Sequence, residues 1–475
     1  MDLKLNFIPL NAKKIHIIAA CGTGMGALSC MLQDMGFEVT GSDQNIYPPM
    51  SDFLAQKGVK LFKGFSPSNL DSLPDLVVIG NAVTKNNVEA VAVMEKNIPY
   101  CSMPQALNHF IAQNKKILLI TGTHGKTTTS SILAHILNEA GLDPSFMIGG
   151  IVKGFGSNYR IGKGDYMVIE GDEYDTAFFD KGAKFMHYTP DVAVITSIEF
   201  DHADIFHDID QIKSAFMKFV EKIPQKSLII ASGNDKNIRD IIDSALCNVQ
   251  YYGDDLCYDW SFSNLQFDQN CTKFEVRDCA NIDKIIKITT PLMGRHNAMN
   301  ALAVYGVSQN IGIDDKTIFK AFSSFEGVKR RQEIRGVKRG ITVMDDFAHH
   351  PSAVRETILG VKPFFKDGRL IAVFEPRTNS SMRDIFQNDY PQSFDGADIV
   401  CIREPSMLFK VPEDRRMNSR QLVDDIAKRG INALYFDNTE NIIELLAAQA
   451  KSGDLILIMS NGGFDNIHQR LLEKL

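Results

Sequence analysis

One stretch constrains this chain more than any other: Ile117-Leu-Leu-Ile-Thr-Gly-Thr-His-Gly-Lys-Thr-Thr-Thr129. Four apolar residues predict a short buried strand, and the periodic run Ile132, Leu133, Ile136, Leu137 predicts a helix. Between them Gly122, Thr123, His124, Gly125, Lys126 and Thr127 form a turn closed by Gly-Lys-Thr. That is the layout of a phosphate-binding loop, with fewer residues between the glycines than the commonest form. Glycines let backbone N–H groups close on phosphate oxygens, and the helix N-terminus adds partial positive charge. Lys126 suits the outer phosphates and the Thr127 hydroxyl suits Mg2+. An ordinary strand–turn–helix corner would need none of these residue types.

The length of 475 residues predicts roughly three domains. The formal charge of −7, with no long basic run, argues against a general nucleic-acid binder. Eight cysteines are scattered without a C-x-x-C pair, which suits a reducing compartment. Lys13-Lys14 ahead of the mainly apolar Ile15–Leu32 resembles a signal peptide, but His16, three glycines and a continuing α/β pattern speak against it. The expectation is a cytoplasmic protein without a membrane span.

Three segments follow, at 1–113, 114–327 and 328–475. In the first, a strand at Ile15–Ala20 leads into Cys21-Gly-Thr-Gly-Met-Gly-Ala27, where Gly22, Gly24 and Ala27 fit G-x-G-x-x-[GA]. Thr23, Met25 and Gly26 complete the turn, and the strand Glu38–Gly41 runs to Asp43, the position of a ribose-binding acid in dinucleotide folds. A strand at Leu76–Gly80 ends at Asn81. This is a Rossmann-like unit, and its backbone N–H groups suit the diphosphate of a nicotinamide cofactor or of a UDP-sugar equally well. Ser102-Met-Pro-Gln-Ala and Gln113–Lys116 look like the join to the next segment.

In the second segment the predicted strand Tyr166–Ile169 runs into Glu170-Gly-Asp-Glu-Tyr-Asp175. Acids at a strand end beside a phosphate loop suit a Mg2+ ligand or a water-orienting carboxylate, with Glu170 and Glu173 both on offer. Val192–Ser197 is followed by Glu199-Phe-Asp-His202; His202 suits a metal ligand, a base or a structural partner. Ser227–Ala231 is a further strand, and residues 250–290 alternate like antiparallel β structure. Gly294-Arg-His-Asn-Ala-Met-Asn300 opens an alanine-rich helix, where Asn297 and Asn300 share a face and suit either capping or adenine recognition.

The third segment starts at the basic Val328-Lys-Arg-Arg331, a solvated surface or a phosphate contact through Arg330 or Arg331. Strands at Thr342–Asp346, Leu370–Phe374, Ile399–Ile402, Ala433–Phe436 and Leu455–Met459 predict a second Rossmann-like unit without a glycine fingerprint. Asp346, His349, His350 and Arg377 stand where strand-end ligands belong. The fold expected is therefore α/β in three domains: Rossmann-like, a P-loop ATPase-type parallel sheet with a small antiparallel β addition, and Rossmann-like again.

These motifs, in this order and over essentially the whole chain, resemble the ATP-dependent Mur ligases of peptidoglycan synthesis and recycling. Gly122–Thr128, Glu170–Asp175, Glu199–His202, Gly294–Asn297 and Asp345-Asp-Phe-Ala-His-His-Pro351 carry the likeness. Tyr47-Pro-Pro-Met-Ser51, Tyr174–Lys181, Glu375-Pro-Arg-Thr-Asn379 and Ser460-Asn-Gly-Gly-Phe464 are similar to the branch that adds a whole tripeptide, rather than L-alanine, to UDP-N-acetylmuramate. The resemblance implies an ADP-forming ligase working through an acyl phosphate, with ATP and Mg2+ as cofactors and a UDP-sugar and a cell-wall peptide as partners. It implies ATP at Gly122–Thr128, and Mg2+ at Thr127 and Glu170, or Glu173, with a second ion at His202. His296 and Asn297 would meet adenine or the phosphates, with Asn300 beside them, and Asp346 the ribose. Arg330 or Arg331 would reach phosphate. The UDP moiety would lie at Gly22–Gly26, Asp43 and Asn81, and the peptide at His349, Arg377 and Asn379. A nicotinamide-dependent oxidoreductase, or a nucleotide-binding regulator without catalysis, is the reading from another class; Gly22–Ala27 favours it and the Gly-Lys-Thr loop opposes it.

Overall fold

The structure, a computed structural model, describes residues 3–268, 271–279 and 281–475. The chain divides into two compact units: Met1–Ile198 with Asp210–Tyr251 and Ala303–Ile318, and Glu199–Ile209 with Tyr252–Leu302 and Phe319–Leu475.

The first unit begins with β1 (Lys14–Ile18), β2 (Glu38–Asp43), β3 (Lys60–Lys63), β4 (Leu76–Ile79) and β5 (Tyr100–Ser102). They form a parallel sheet in the order β3-β2-β1-β4-β5. The chain leaves β1 toward β2 on one side and reaches β4 on the other, so a crevice opens at the carboxyl ends of β1 and β4. The glycine turn, Asp43 and Asn81 all lie at that edge. The segment Ser102-Met-Pro-Gln-Ala, expected with Gln113–Lys116 to form the join, is the end of a strand and the start of a helix. Ser102 ends β5 and caps a helix, Met103–Leu107, in a capping box with Gln105. Pro104 sits in the first turn, where a missing N–H costs nothing.

The same unit continues with β6 (Lys116–Thr121), β7 (Ser145–Val152), β8 (Ser157–Arg160) and β9 (Tyr166–Gly171). A hairpin of β10 (Asp175–Ala177) and β11 (Asp180–Ala183) precedes β12 (Val192–Ile195) and β13 (Leu228–Ser232). The sheet order is β13-β12-β6-β9-β7-β8, parallel except at the β8 edge. Ile117–Ile120, Met167–Ile169 and Val192–Ile195 are almost wholly buried. Such unbroken apolar runs mark parallel strands covered on both faces, which is why these three were predictable.

At the boundary of the units lies β14 (Asn248–Gly253). In the second unit β15 (Trp260–Asp268), β16 (Cys271–Asp278) and β17 (Asn281–Thr290) form antiparallel pairs. Here the expectation for 250–290 is corrected in part: Tyr252 and Gly253 pair in parallel with Trp260 and Ser261. Residues 269, 270 and 280 of that stretch lie outside the described residues. The remaining strands are β18 (Glu333–Lys338), β19 (Ile341–Asp346), β20 (Leu370–Phe374), β21 (Ile399–Arg403), β22 (Asn432–Phe436) and β23 (Leu455–Met459). Their order is β18-β19-β23-β20-β21-β22, with only β18 antiparallel. Alternate residues feed two cores: Leu370, Ala372 and Phe374 pack on one face, Ile371 and Val373 on the other. Asp346, Glu375, Arg403 and Ser460 therefore stand along one polar edge of this sheet, each at or just beyond a strand's carboxyl end.

Candidate active site

The phosphate loop follows β6 as expected, and Gly125 caps a helix spanning Lys126–Glu139. Gly122 has φ +122°, and a Cβ there would strike the Thr196 hydroxyl and the Ser197 backbone. The chain beyond β12 thus braces the loop: Thr123 N–H donates to the Ser197 carbonyl at 2.8 Å, and His124 N–H to the Ser197 hydroxyl at 3.0 Å. The Lys126 ammonium turns back over the loop to the Gly122 carbonyl at 2.6 Å and the Glu173 carboxylate at 2.9 Å. Burial opposes its charge, but Glu173 and Asp172 outweigh burial and hold its pKa above the ordinary lysine value.

Glu170 takes a different partner. Its Oε2 accepts from the Thr127 hydroxyl at 3.2 Å and its Oε1 from Gly149 N–H at 2.6 Å. Asp172 lies 3.2 Å from Lys184. Thr128 is buried in the first helical turn. The loop therefore presents one held ammonium beside a hydroxyl and two carboxylates, a set of hard oxygen donors of the kind Mg2+ takes.

At the first sheet, Gly22 caps the helix Thr23–Asp34. Gly26 N–H donates to the Gly22 carbonyl at 2.7 Å, and a Cβ on Gly26 would come within 2.6 Å of Met50 Cε and 3.2 Å of the Ala20 carbonyl. A side chain here would crowd the Ala20 carbonyl and displace Met50, so glycine eases the close approach of this helix to the chain after β1. Asp43 accepts from Cys21 N–H at 2.8 Å and Asn45 N–H at 2.9 Å, so it also fixes the turn that precedes Gly22. Gly24 and Met25 lie within the turn's first helical residues, and Thr23 offers its carbonyl to the Asn158 amide of β8 at 3.2 Å. Asn81 is exposed just beyond β4.

In the second unit the sequence-predicted residues form three groups. The first centres on Asp201, which accepts from His202 N–H at 2.7 Å and the Ser380 hydroxyl at 2.8 Å, and faces His349 Nε2 at 3.8 Å. Burial opposes the Asp201 charge; the His349 and His202 imidazoles beside it outweigh burial and hold its pKa below the carboxylate range. His202 adopts φ +53°, and the Asn379 amide donates to Asp204 at 3.0 Å. His350 Nε2 lies 3.1 Å from the Phe200 carbonyl, and Glu199 accepts from the Ser352 hydroxyl.

The second group joins His296, Asn297, Asn300 and Asp346 through Gln332. The Asn297 amide donates to the Met293 carbonyl at 2.8 Å and Gln332 Oε1 at 3.0 Å, and the Asn300 amide donates to Asn297 at 3.2 Å. Neither side chain accepts from a helix N–H in these bonds, so the capping reading gives way to a buried amide chain. Gln332 Nε2 lies 3.4 Å from His296 Nε2, while Asp346 accepts from Gln332 N–H at 2.7 Å and Ala348 N–H at 2.8 Å. Burial raises the Asp346 pKa, with Arg331 and these amides pulling the other way.

The third group is cationic. The Arg330 guanidinium donates to the Ser460 and Gly462 carbonyls, each at 2.6 Å, and Arg331 sits over the Phe347 ring at 4.6 Å. Both arginines are thus anchored, not a loose solvated cluster. Arg377 lies 3.7 Å from Glu375, which accepts from the Ser460 hydroxyl at 2.8 Å. Asp201, Ser380 and Gln332 were not singled out from the sequence. Asp201 lay inside a quoted motif, overshadowed by His202, and Gln332 follows the basic pair directly.

Comparison with known proteins follows the same three stretches. The family descriptions "Mur ligase family, catalytic domain", "Mur ligase middle domain" and "Mur ligase, glutamate ligase domain" match residues 14–115, 120–308 and 330–462. The chain is 38% identical over 464 residues to the UDP-N-acetylmuramate–L-alanyl-γ-D-glutamyl-meso-2,6-diaminoheptandioate ligase of Escherichia coli K12, covering 97% of this chain and 98% of that one. A UDP-N-acetylmuramate–L-alanine ligase of Clostridium botulinum strain Okra is 34% identical, covering 97% of each chain. Among solved structures, a murein peptide ligase of Psychrobacter arcticus superposes with a TM-score of 0.74 at 36% identity, covering 97% of this chain and 98% of that one.

Proposed function

The chain belongs to the Mur ligase family, and from that premise we infer that it is an ATP-dependent, ADP-forming ligase. It joins UDP-N-acetylmuramate to the tripeptide L-alanyl-γ-D-glutamyl-meso-diaminopimelate, as in peptidoglycan recycling. The observation that carries this reading is the full-length likeness to a ligase of that name, stronger than the likeness to the L-alanine ligase. Among the described residues no helix is long and apolar enough to cross a membrane, which accords with a cytoplasmic setting.

The chemistry is the transfer of the ATP γ-phosphoryl group to the muramate carboxylate. The amine of the peptide's L-alanine then attacks the acyl phosphate; an amide forms, phosphate leaves, and ADP is the other product. Such a reaction asks the protein for positioning and charge neutralisation. Lys126 fits the β- and γ-phosphates, with Gly122–Thr128 lending backbone N–H groups. The oxygens of Thr127 and Glu170, with Glu173 close by, fit Mg2+. Bound there, Mg2+ would offset charge on the β- and γ-phosphate oxygens. His202 is assigned to a second ion.

His296, Asn297 and Asn300 are assigned to adenine, Asp346 to ribose, and Arg330 and Arg331 to phosphate. Gly22–Gly26, Asp43 and Asn81 are assigned to the UDP moiety, and His349, Arg377 and Asn379 to the peptide. In this division 1–113 holds the UDP-sugar, 114–327 the ATP, and 328–475 the peptide.

The test is ADP release with ATP, Mg2+ and UDP-N-acetylmuramate while the amine is varied. Release with the tripeptide and little with L-alanine is expected. Release with L-alanine alone would reverse the choice of amine, and none with any amine would remove the activity.

A further inference from the structure

The loop after β20 folds into a tight turn: Arg377 N–H donates to the Ser381 hydroxyl, Met382 N–H to the Thr378 carbonyl and Arg383 N–H to the Ser380 carbonyl. The loop after β21 returns to meet it. Met417 N–H donates to the Met382 carbonyl at 3.0 Å, and Arg383 and Arg416 form an isolated antiparallel bridge. Further out, Gln387 and Asn418 bond each other through side chain and backbone in both directions. Residues directly opposite in such a bridge put their side chains on one face, with Cβ atoms roughly 5 Å apart. The bridge therefore starts two arginine side chains from neighbouring positions on one face, and like charges directly opposite disfavour such pairing unless something negative lies near them.

The chain supplies little of that charge. Arg416 Nε donates to the Val411 carbonyl at 2.9 Å, and its Nη1 lies 3.6 Å from Glu413, a carboxylate that is 90% exposed and so weakly held. Arg383 Nε is buried with no hydrogen-bond partner among the described residues. A buried guanidinium N–H without an acceptor is costly to keep, and the fork geometry of arginine matches a carboxylate. Both loops leave carboxyl ends of parallel strands, the edge where ligands bind in α/β sheets, and Arg383 ends the turn that begins at Arg377.

We propose that Arg383 and Arg416 form a carboxylate-binding site for the part of the peptide beyond its reacting amine. This rests on the reading of the amine substrate as the tripeptide. The glutamyl and diaminopimelyl residues carry carboxylates remote from the L-alanine amine, whereas free L-alanine has only the one beside its amine. The pair is thus a specificity element: it holds the tripeptide by charge that the single amino acid cannot place there.

The test uses steady-state ADP release by the full chain with saturating ATP and UDP-N-acetylmuramate. The substrates are the tripeptide and an analogue whose diaminopimelyl carboxylates are amides, and the proteins are wild type, R383M, R383K and R416M. R383M is expected to raise KM for the tripeptide about ten- to a hundredfold, with kcat and the KM values for ATP and UDP-N-acetylmuramate within about twofold. For the amidated analogue, wild type and R383M should share the same raised KM. R383K should recover part of the loss, and R416M should shift KM in the same direction, which keeps the test decisive should R383M fail to fold. An unchanged tripeptide KM in R383M and R416M, with wild type active, overturns this site alone; so does an equal KM increase for tripeptide and analogue. A wild-type enzyme inactive with the tripeptide overturns the substrate reading and the site with it.

Discussion

Replacing Lys126 with Met separates two roles the structure gives to one ammonium. The side chain is 12% exposed and its Glu173 partner 2% exposed at 2.9 Å, so K126M leaves a buried carboxylate without that counter-charge. Asp172 keeps Lys184 at 3.2 Å, so the loss falls on Glu173. Breaking one side of a buried pair costs about 3 kcal/mol, which for domains of this size lowers Tm by roughly 6–12 °C. The double variant K126M/E173Q removes both charges and should regain about 2 kcal/mol of that loss. Activity should not follow stability. Without the ammonium, kcat for ADP release should fall about 100- to 1000-fold in both variants, the scale of losing one transition-state charge contact. Thermal scanning at neutral pH and a coupled ADP assay give the two readings. A Tm for K126M within a degree of wild type, or a double variant no more stable than the single, would refute the pairing. A near-normal kcat would refute the phosphate role.

Two other outcomes follow from named contacts. His16 is fully buried with Nδ1 2.8 Å from the Thr40 hydroxyl, and burial lowers its pKa from 6.5 to about 4. Its stabilising contribution is therefore complete above pH 6.5 and is lost as pH falls toward 4, because the unfolded chain takes up a proton the folded chain refuses; the window is worth about 3 kcal/mol. H16Q should flatten the denaturant-measured stability between those pH values, and an unchanged slope would contradict the assignment. Glu170 is bonded to Thr127 and is proposed to hold Mg2+, so E170Q should raise the Mg2+ concentration for half-maximal ADP release at least tenfold; an unchanged Mg2+ titration would move that role to Glu173.

What the sequence disclosed depended on whether the signal was local. Strands such as Leu370–Phe374 and Leu455–Met459 are buried on both faces and coincide with their predicted limits. Lys60–Lys63 and Glu333–Lys338 were missed because they are short, half-exposed strands with charged residues at both ends. The capped helix at Met103–Leu107 carries a readable signature in Ser102 and Gln105, but at five residues it is too short for apolar periodicity to mark it. At the site, the phosphate loop was legible because its residues are consecutive. The company kept by Asp201 was not, since Ser380 and His349 reach it across more than a hundred positions of chain. The Arg383–Arg416 bridge likewise joins two irregular loops with no periodicity to announce them.

The acidic run Glu170–Asp175 shows why composition alone misjudges such a stretch. Four acids in six residues would suit a solvated turn, yet here each has a fixed donor or cation. Glu170 is held by Thr127 and Gly149, Asp172 by Lys184, Glu173 by Lys126, and Asp175 by Lys181. The division is set by β9, which carries Glu170 as far as the Thr127 hydroxyl before the chain turns and delivers Glu173 to the ammonium four residues into the loop. Glu170 and Glu173 therefore take different partners in the loop. One faces the hydroxyl that suits a cation, and the other sets the position and charge of the lysine that suits the phosphates. Exchanging either for its amide should impair a different step: Mg2+ dependence for Glu170, and ATP KM with Lys126 placement for Glu173.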